Sequence, residues 1–225
     1  MQKIITADKT ETFLNEEVGE AYHSYTGAVE EAMNKYALPC KIKELAKENG
    51  KIRILDVCSG MGYNSAVAID VALKANRKCE IEVIGLENDS KIIEKIQEVN
   101  PPIKFFKHYK RLTPKNLSLE EGNVSINFIL GDARQTIKKL KENHFDAVFF
   151  DPFSPQTTPE MWKTDFFKEV RRVMNKEAIF STYTISQTAR EQMAEAGLFY
   201  QDGPIPSRRG PGTIATKWIF LKELE

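Results

Sequence analysis

A doubly wound α/β fold is predicted for this chain by three observations. Short β-rich apolar runs alternate with amphipathic helical stretches from Lys51 onward, acidic residues close several of those runs, and the last two runs follow each other without a helix between them. Strands are expected at residues 52–57, 81–87, 124–130, 145–151 and 178–182, and helices at 63–75, 90–99, 133–141, 159–173 and 186–196. Residues 198–202 and 213–222 are two further strands joined by GPIPSRRGPG, an antiparallel hairpin on the sheet edge. Residues 1–50 stand outside this alternation. They predict a small β element and a helix over 27–36, together an N-terminal arm covering one mouth of the sheet.

The chain has 225 residues, room for one sizeable domain and an arm but cramped for two full domains. Its 41% hydrophobic and 28% charged residues are those of an ordinary globular protein with a packed core. Lys and Arg number 32 and Asp and Glu 32, so a nucleic-acid partner must be held by a local basic patch and not by overall charge. The N-terminus MQKIITADKTETFL lacks an apolar signal region, and no run of about 18 apolar residues occurs, which reads as a soluble, cytoplasmic protein. Cys40, Cys58 and Cys79 are odd in number and far apart, fitting neither a disulfide framework nor a metal knuckle. With three histidines and no H-E-x-x-H, no metal is expected.

Seven strands with a reversed last one is the arrangement of class I methyltransferases, whereas nicotinamide dehydrogenases usually finish on a parallel strand. In such open sheets the ligand lies beyond the carboxyl ends of the strands, where strand order reverses. The first strand ends in Asp56-Val57-Cys58-Ser59-Gly60-Met61-Gly62-Tyr63, and Gly60 and Gly62 would let the backbone approach a ligand closely. A pyrophosphate cradle wants the fuller G-x-G-x-x-G, but Cys58 holds the first glycine position here. That tilts the reading from a dinucleotide to the phosphate-free S-adenosylmethionine. The second strand ends in Glu87-Asn88-Asp89, placing a carboxylate where a ribose presents two hydroxyls. The third ends in Gly131-Asp132-Ala133, where Asp132 could accept the adenine amino group and the Ala133 amide donate to a ring nitrogen, or Asp132 could simply cap the next helix.

The fourth strand ends in Phe149-Phe150-Asp151-Pro152-Phe153-Ser154-Pro155, a carboxylate at the sheet's mouth followed by an aromatic between prolines. It resembles the Asp-Pro-Pro-Tyr/Phe loop of amine-directed methyltransferases. Asp151 could orient a primary amine toward a sulfonium methyl, with or without also serving as its base, while Phe153 packs the group's apolar body; the bland alternative is a turn-capping Asp.

The segments TADKTETFLNEEVGEAYHSYTGAVEEA, ILDVCSGMGYNS, FDAVFFDPFSPQTTPEMW and PSRRGPGTIATKW, spread over nearly the whole chain, resemble the methyltransferase portion of the bacterial bifunctional enzyme that makes 5-methylaminomethyl-2-thiouridine in tRNA. The resemblance implies residues 51–225 as an S-adenosylmethionine-dependent domain that methylates the 5-aminomethyl group of the wobble uridine. By motif, Asp151, Pro152, Phe153 and Pro155 match the family's substrate loop, and Asp56, Gly60, Gly62, Glu87 and Asp132 its cofactor positions. The family carries a flavin-binding oxidase domain after the methyltransferase; here the sequence stops at Glu225, so no flavin is expected.

Lys104-Phe105-Phe106-Lys107-His108-Tyr109-Lys110-Arg111 lies in an insertion after Asn100. Its Lys107, Lys110 and Arg111 could meet phosphates while the aromatics stack on bases, or the aromatics could cover the core beneath a solvated basic loop. Arg208 and Arg209, in a glycine- and proline-bounded loop, are the preferred contacts to the tRNA anticodon region. His23 reads as a packed structural residue, and Tyr25 as a neighbour of the cofactor if the arm folds over it. The sequence leaves the oligomeric state open, as a monomer or weak homo-oligomer. Competing readings are an aminopropyltransferase, against which counts the absence of the G-G-G-D-G-G type loop of those enzymes, a methyltransferase acting on a small amine, and a non-catalytic RNA-binding module, against which the set Asp56, Glu87, Asp132 and Asp151 counts.

Overall fold

Eight strands form the central sheet of the computed structural model, which describes residues 1–205 and 210–219. Chain order begins with a separate three-stranded antiparallel sheet, β1 (Gln2–Ile5), β2 (Glu11–Asn15) and β3 (Glu20–Ala21). Helix α1 (Ala28–Glu31) runs straight into a π-helical turn, Ala32–Ala37, and α2 (Ile42–Glu48) follows. Tyr36, Ile42 and Ala46 are buried in one core with Ile52 and Ile54, so residues 28–48 form part of the helical layer on one face of the main sheet.

The alternation then proceeds through β4 (Lys51–Val57), α3 (Tyr63–Ala75), β5 (Glu80–Glu87), α4 (Ser90–Lys95), α5 (Phe106–Tyr109), β6 (Ser118–Glu121), β7 (Val124–Leu130), α6 (Ala133–Thr136), β8 (Phe145–Phe150), α7 (Thr164–Val173), β9 (Met174–Thr182), α8 (Gln187–Glu195), β10 (Phe199–Asp202) and β11 (Thr213–Thr216). Across the sheet the order is β10-β11-β9-β8-β4-β5-β7-β6. Strand β11 lies antiparallel between β9 and β10, so the reversed strand sits inside the edge and β10 forms the edge itself. The strand expected to reach residue 222 ends at Thr216.

The burial patterns explain the elements. Leu55 and Val57 pack on the α6–α7–α8 face while Ile52 and Ile54 pack on the α3 face, the period-two signature of a strand covered on both sides. Strand β7 alternates buried Val124, Ile126 and Phe128 with exposed Ser125 and Asn127, because only one face near that edge is covered. Its neighbour β6, SLEE, was not anticipated: it is four residues with one inward apolar residue, Leu119, and two outward glutamates, a short charged strand suited to an edge. Helix α7 turns Phe166, Phe167, Val170 and Val173 inward at helical spacing.

Strand β4 pairs in parallel with β5 on one side and β8 on the other. The chain therefore leaves β4 toward one half of the sheet and later returns to its other side, and the carboxyl ends of β4, β5 and β8 open onto a common crevice.

Candidate functional site

A cavity of about 950 Å³ occupies that crevice, walled by the loops after β4, β5, β7 and β8 and roofed by residues of the β2–β3 arm. The loop after β4 makes its turn with three alternate positive-φ positions, Cys58 (59°), Gly60 (52°) and Gly62 (80°), and enters α3. The Ser59 amide donates to the Leu86 carbonyl at 3.1 Å and the Gly60 amide to Glu87 Oε2 at 2.8 Å, which fastens the loop to the end of β5. Glu87 Oε1 accepts the Asn88 and Asp89 amides at 2.8 and 2.9 Å. Burial pushes the Glu87 carboxyl up while these amides pull it down. Three of its acceptor positions are thus committed to backbone, which leaves fewer for a ribose than the sequence reading gave it, although the residue still lines the cavity.

Cys58, Ser59, Gly60, Glu87, Asn88, Asp132, Ala133, Asp151, Pro152, Phe153 and Tyr25 all border this space. Tyr25 stands 61% exposed on its rim.

Two expected members do not border it. Asp56 is fully buried, its carboxylate oxygens close no well-aligned hydrogen bond among the described residues, and burial pushes it up to about 7 against the pull of the nearby Ser65 hydroxyl and amide. Strand parity is the reason: Asp56 follows Ile52 and Ile54 onto the α3 face instead of out of the strand end. At Gly62 a Cβ would lie 2.4 Å from the Tyr109 ring, so the close approach that the missing side chain permits is to an aromatic ring. Asp132 takes the capping alternative as well. Its Oδ1 accepts the Arg134 amide at 2.8 Å and its carboxylate is gripped by the Arg134 guanidinium, with Nη2–Oδ2 at 2.6 Å, which holds its pKa down.

The opposite wall is the loop after β8. Carbonyls fix it from beneath: Tyr183 donates to Pro152 O at 3.1 Å, and Trp162 Nε1 and the Thr158 hydroxyl donate to Phe153 O at 3.0 and 2.9 Å. Asp151 is half-buried on the cavity wall and accepts from Asn64 Nδ2 at 2.8 Å. Desolvation, then the Glu31 carboxylate, pushes Asp151 up to about 8, while Tyr36 and Asn64 pull it down.

From the arm, Glu20 accepts the Ser154 amide at 3.0 Å and the hydroxyls of Ser154 and Thr157. Tyr22 donates to Asp89 Oδ2 at 2.7 Å and sets its ring edge-on to Phe153, centroids 5.2 Å apart. The arm thereby ties both walls together. Nothing in the sequence reading singled out Glu20, Tyr22, Glu31 or Asn64. Asn64 lay within the ILDVCSGMGYNS segment but reads there as an ordinary first-turn residue, and the arm residues belong to no local motif.

His23 is buried, stacks on Tyr63 at 4.7 Å between centroids, and shares a hydrogen bond between Nδ1 and the Thr12 hydroxyl at 3.0 Å. Burial brings it down to about 4, so it is neutral at pH 7, packed in place where it also borders the cavity. Among the described residues nine Asp and Glu side chains line the cavity against Lys91, Arg134 and the N-terminal ammonium. Such a wall favours a cationic occupant.

The insertion follows its core-covering alternative. Phe105, Phe106 and Tyr109 are buried, and Phe106 stacks on Tyr109. Lys107, Lys110 and Arg111 do not border the cavity; Lys110 bonds Asn100 Oδ1 at 2.7 Å and Arg111 pairs with Glu121 at 2.9 Å. Arg208 and Arg209 lie outside the described residues. Among the described residues no helix is long and apolar enough to cross a membrane, and no group of three or more side chains is arranged to hold a metal ion.

The sequence family described as S-adenosyl-L-methionine-dependent methyltransferase matches residues 97–218, and one described as a methyltransferase domain matches residues 27–148. The chain belongs to the S-adenosyl-L-methionine-dependent methyltransferases. The crystal structure of MNMC2 from Aquifex aeolicus superposes on all of it with a TM-score of 0.88 at 32% identity, covering 72% of that chain. The tRNA 5-methylaminomethyl-2-thiouridine biosynthesis bifunctional protein MnmC of Aromatoleum aromaticum is 26% identical over 197 residues, 83% of this chain and 31% of the relative. An uncharacterised protein of Methanocaldococcus jannaschii is 29% identical over 218 residues, 94% of this chain. The chain spans 58% of the archaeal relative's length.

Proposed function

We propose that this protein transfers the methyl group of S-adenosylmethionine to the 5-aminomethyl nitrogen of a wobble uridine in tRNA, in the cytoplasm. The observation that carries the reading is the half-buried Asp151, its pKa pushed up to about 8, set in an acid-lined cavity at the sheet's switch point. The name of the MnmC relative supports it, since 5-methylaminomethyl-2-thiouridine carries its extra methyl on an amine.

The residues present fit the donor. Gly60 offers a loop face without a Cβ, Glu87 and Asn88 stand at the end of β5, and Asp132, Ala133 and Tyr25 border the far side. The acidic wall suits a sulfonium and an α-ammonium. Bound there, S-adenosylmethionine supplies an electrophilic methyl on positively charged sulfur.

A primary ammonium must lose one proton before its nitrogen can attack, and the secondary amine formed carries one N–H fewer. Asp151 accepts hydrogen bonds from the amine and so fixes the direction of its lone pair. A carboxyl whose pKa lies near the working pH is also matched to taking that proton. Pro152 and Phe153 pack the aminomethyl arm and base, with Tyr22 holding the Phe153 ring. Because the cavity wall is acidic, RNA phosphates lie outside it, and Arg208 and Arg209 are the proposed contacts.

The test is transfer of labelled methyl into tRNA bearing 5-aminomethyl wobble uridine, followed by nucleoside mass spectrometry; label appearing in 5-methylaminomethyluridine supports the reading. The acid-lined wall also favours a second reading, methylation of a small free polyamine. Label in polyamines with none in tRNA would select it.

A further inference from the structure

The floor beneath Asp151 is built from elements distant in sequence. Asn64, on the first turn of α3, is 2% exposed and donates from Nδ2 to Asp151 Oδ2 at 2.8 Å. Tyr36, on the π-helical turn Ala32–Ala37, is fully buried, and its hydroxyl stands beside the same carboxylate without closing a well-aligned hydrogen bond to it. A π turn is an uncommon backbone and often marks a site where a side chain must be re-aimed. Neither residue borders the cavity, so neither touches what binds there.

We propose that Asn64 and Tyr36 are positioning residues that aim the Asp151 carboxylate toward the amine and favour its ionised form. The inference rests on the role proposed for Asp151 above. An N–H or O–H donor stabilises a carboxylate and not a carboxylic acid that must itself donate, so each of the two favours the form able to receive the substrate's N–H groups. Their effect opposes burial and the acids Glu31 from α1 and Asp56 from β4, while the other titratable groups that face Asp151, Cys58 from the loop after β4 and Tyr183 from the segment after β9, have their pKa values raised and stay neutral. Burial and the neighbouring acids favour protonation, and the two donors are the restoring force. Asn64 directly follows the glycine turn, so the same helix start that shapes the donor-side loop also aims the acceptor-side acid.

The experiment measures kcat/KM for methyl transfer to aminomethyl tRNA from pH 6 to 10 in the wild type, Tyr36→Phe and Asn64→Leu, with S-adenosylhomocysteine affinity measured in parallel. Asn64→Leu loses one hydrogen bond to a charged acceptor, which moves the acid limb upward by about one pH unit and lowers kcat/KM at pH 7 about tenfold; Tyr36→Phe removes a hydroxyl dipole beside the same carboxylate and moves the limb in the same direction by less. Donor affinity should stay within about twofold, because neither side chain borders the cavity. Tyr36→Phe removes one hydroxyl from a buried ring and keeps the test informative should Asn64→Leu not fold. Unchanged acid limbs in folded variants, against an active wild type, would overturn the proposal. An inactive wild type would overturn the proposed substrate itself, and the two failures are told apart by the wild-type arm.

Discussion

Gly60 and Gly62 belong to the same turn and read alike in the sequence, yet the structure assigns them opposite vulnerabilities. At Gly62, φ is +80° and a Cβ would sit 2.4 Å from Tyr109 Cε1 and 2.8 Å from Cδ1. The Tyr109 ring has no retreat: it is fully buried, stacked on Phe106 at 5.5 Å, edge-on to Phe128, and tied through its hydroxyl to Ser65 Oγ at 2.9 Å. Gly62→Ala therefore incurs both the left-handed backbone strain, about 1–2 kcal/mol, and an overpacking cost of about 1–3 kcal/mol. At Gly60 the φ of +52° carries the same strain, but the added Cβ would meet only Tyr22 Cδ1 at an ordinary 3.5 Å. Urea denaturation followed by circular dichroism should show Gly62→Ala losing about 1–3 kcal/mol more than Gly60→Ala, and its Tm should fall on the order of 10 °C. Titration with S-adenosylmethionine should rank the two in reverse, because Gly60 faces the cavity and Gly62 does not. Equal stability losses, or a larger loss of donor affinity in Gly62→Ala, would refute the placement of this turn.

Three further outcomes follow from the geometry. Asp151→Asn should retain donor binding and lose most turnover. It should also raise the Tm at pH 9, with the gain shrinking toward pH 5: the raised pKa means the native state holds a proton more tightly than the unfolded chain, so this group's stabilisation is lost as pH rises through about 8, and an amide escapes that loss. Glu20→Gln removes acceptor capacity from Ser154 and Thr157 and should weaken kcat/KM for the amine about tenfold through a loosened loop, with donor affinity unchanged, as read by steady-state kinetics and calorimetry. The His23 ring protons, followed by NMR, should titrate near pH 4, well below an exposed imidazole; a midpoint near 6.5 would place His23 in solvent.

The strand-and-helix alternation was legible because both covered faces of a parallel sheet print themselves on the sequence. Helix α3 and strand β7 run over the residues expected, 63–75 and 124–130. The helix expected at 90–99 tightens into a 3₁₀ turn at Ile96–Glu98, and the one at 133–141 does so at Ile137–Lys139, since short helices close their ends with tighter bonds. Strand β9 starts at Met174, four residues early, where the polar Asn175, Lys176 and Glu177 disguise it and its pairing with β8 is irregular. Which loops border the cavity was also legible, as acids at strand ends. What each acid faces was not: Asp56 is turned inward by strand parity, Asp132 is claimed by Arg134 two residues on, and Glu87 is claimed by three amides. Glu20, Tyr22 and Tyr36 reach the cavity or its floor through tertiary contacts that no local pattern encodes.

A crystal structure of the protein with S-adenosylhomocysteine tests the central claim most directly. The account predicts the ligand in the cavity at the carboxyl ends of β4, β5 and β7, against Gly60, Glu87 and Ala133, with its sulfur turned toward Asp151. A ligand bound elsewhere, or one whose sulfur faces away from the Asp151 loop, would contradict it.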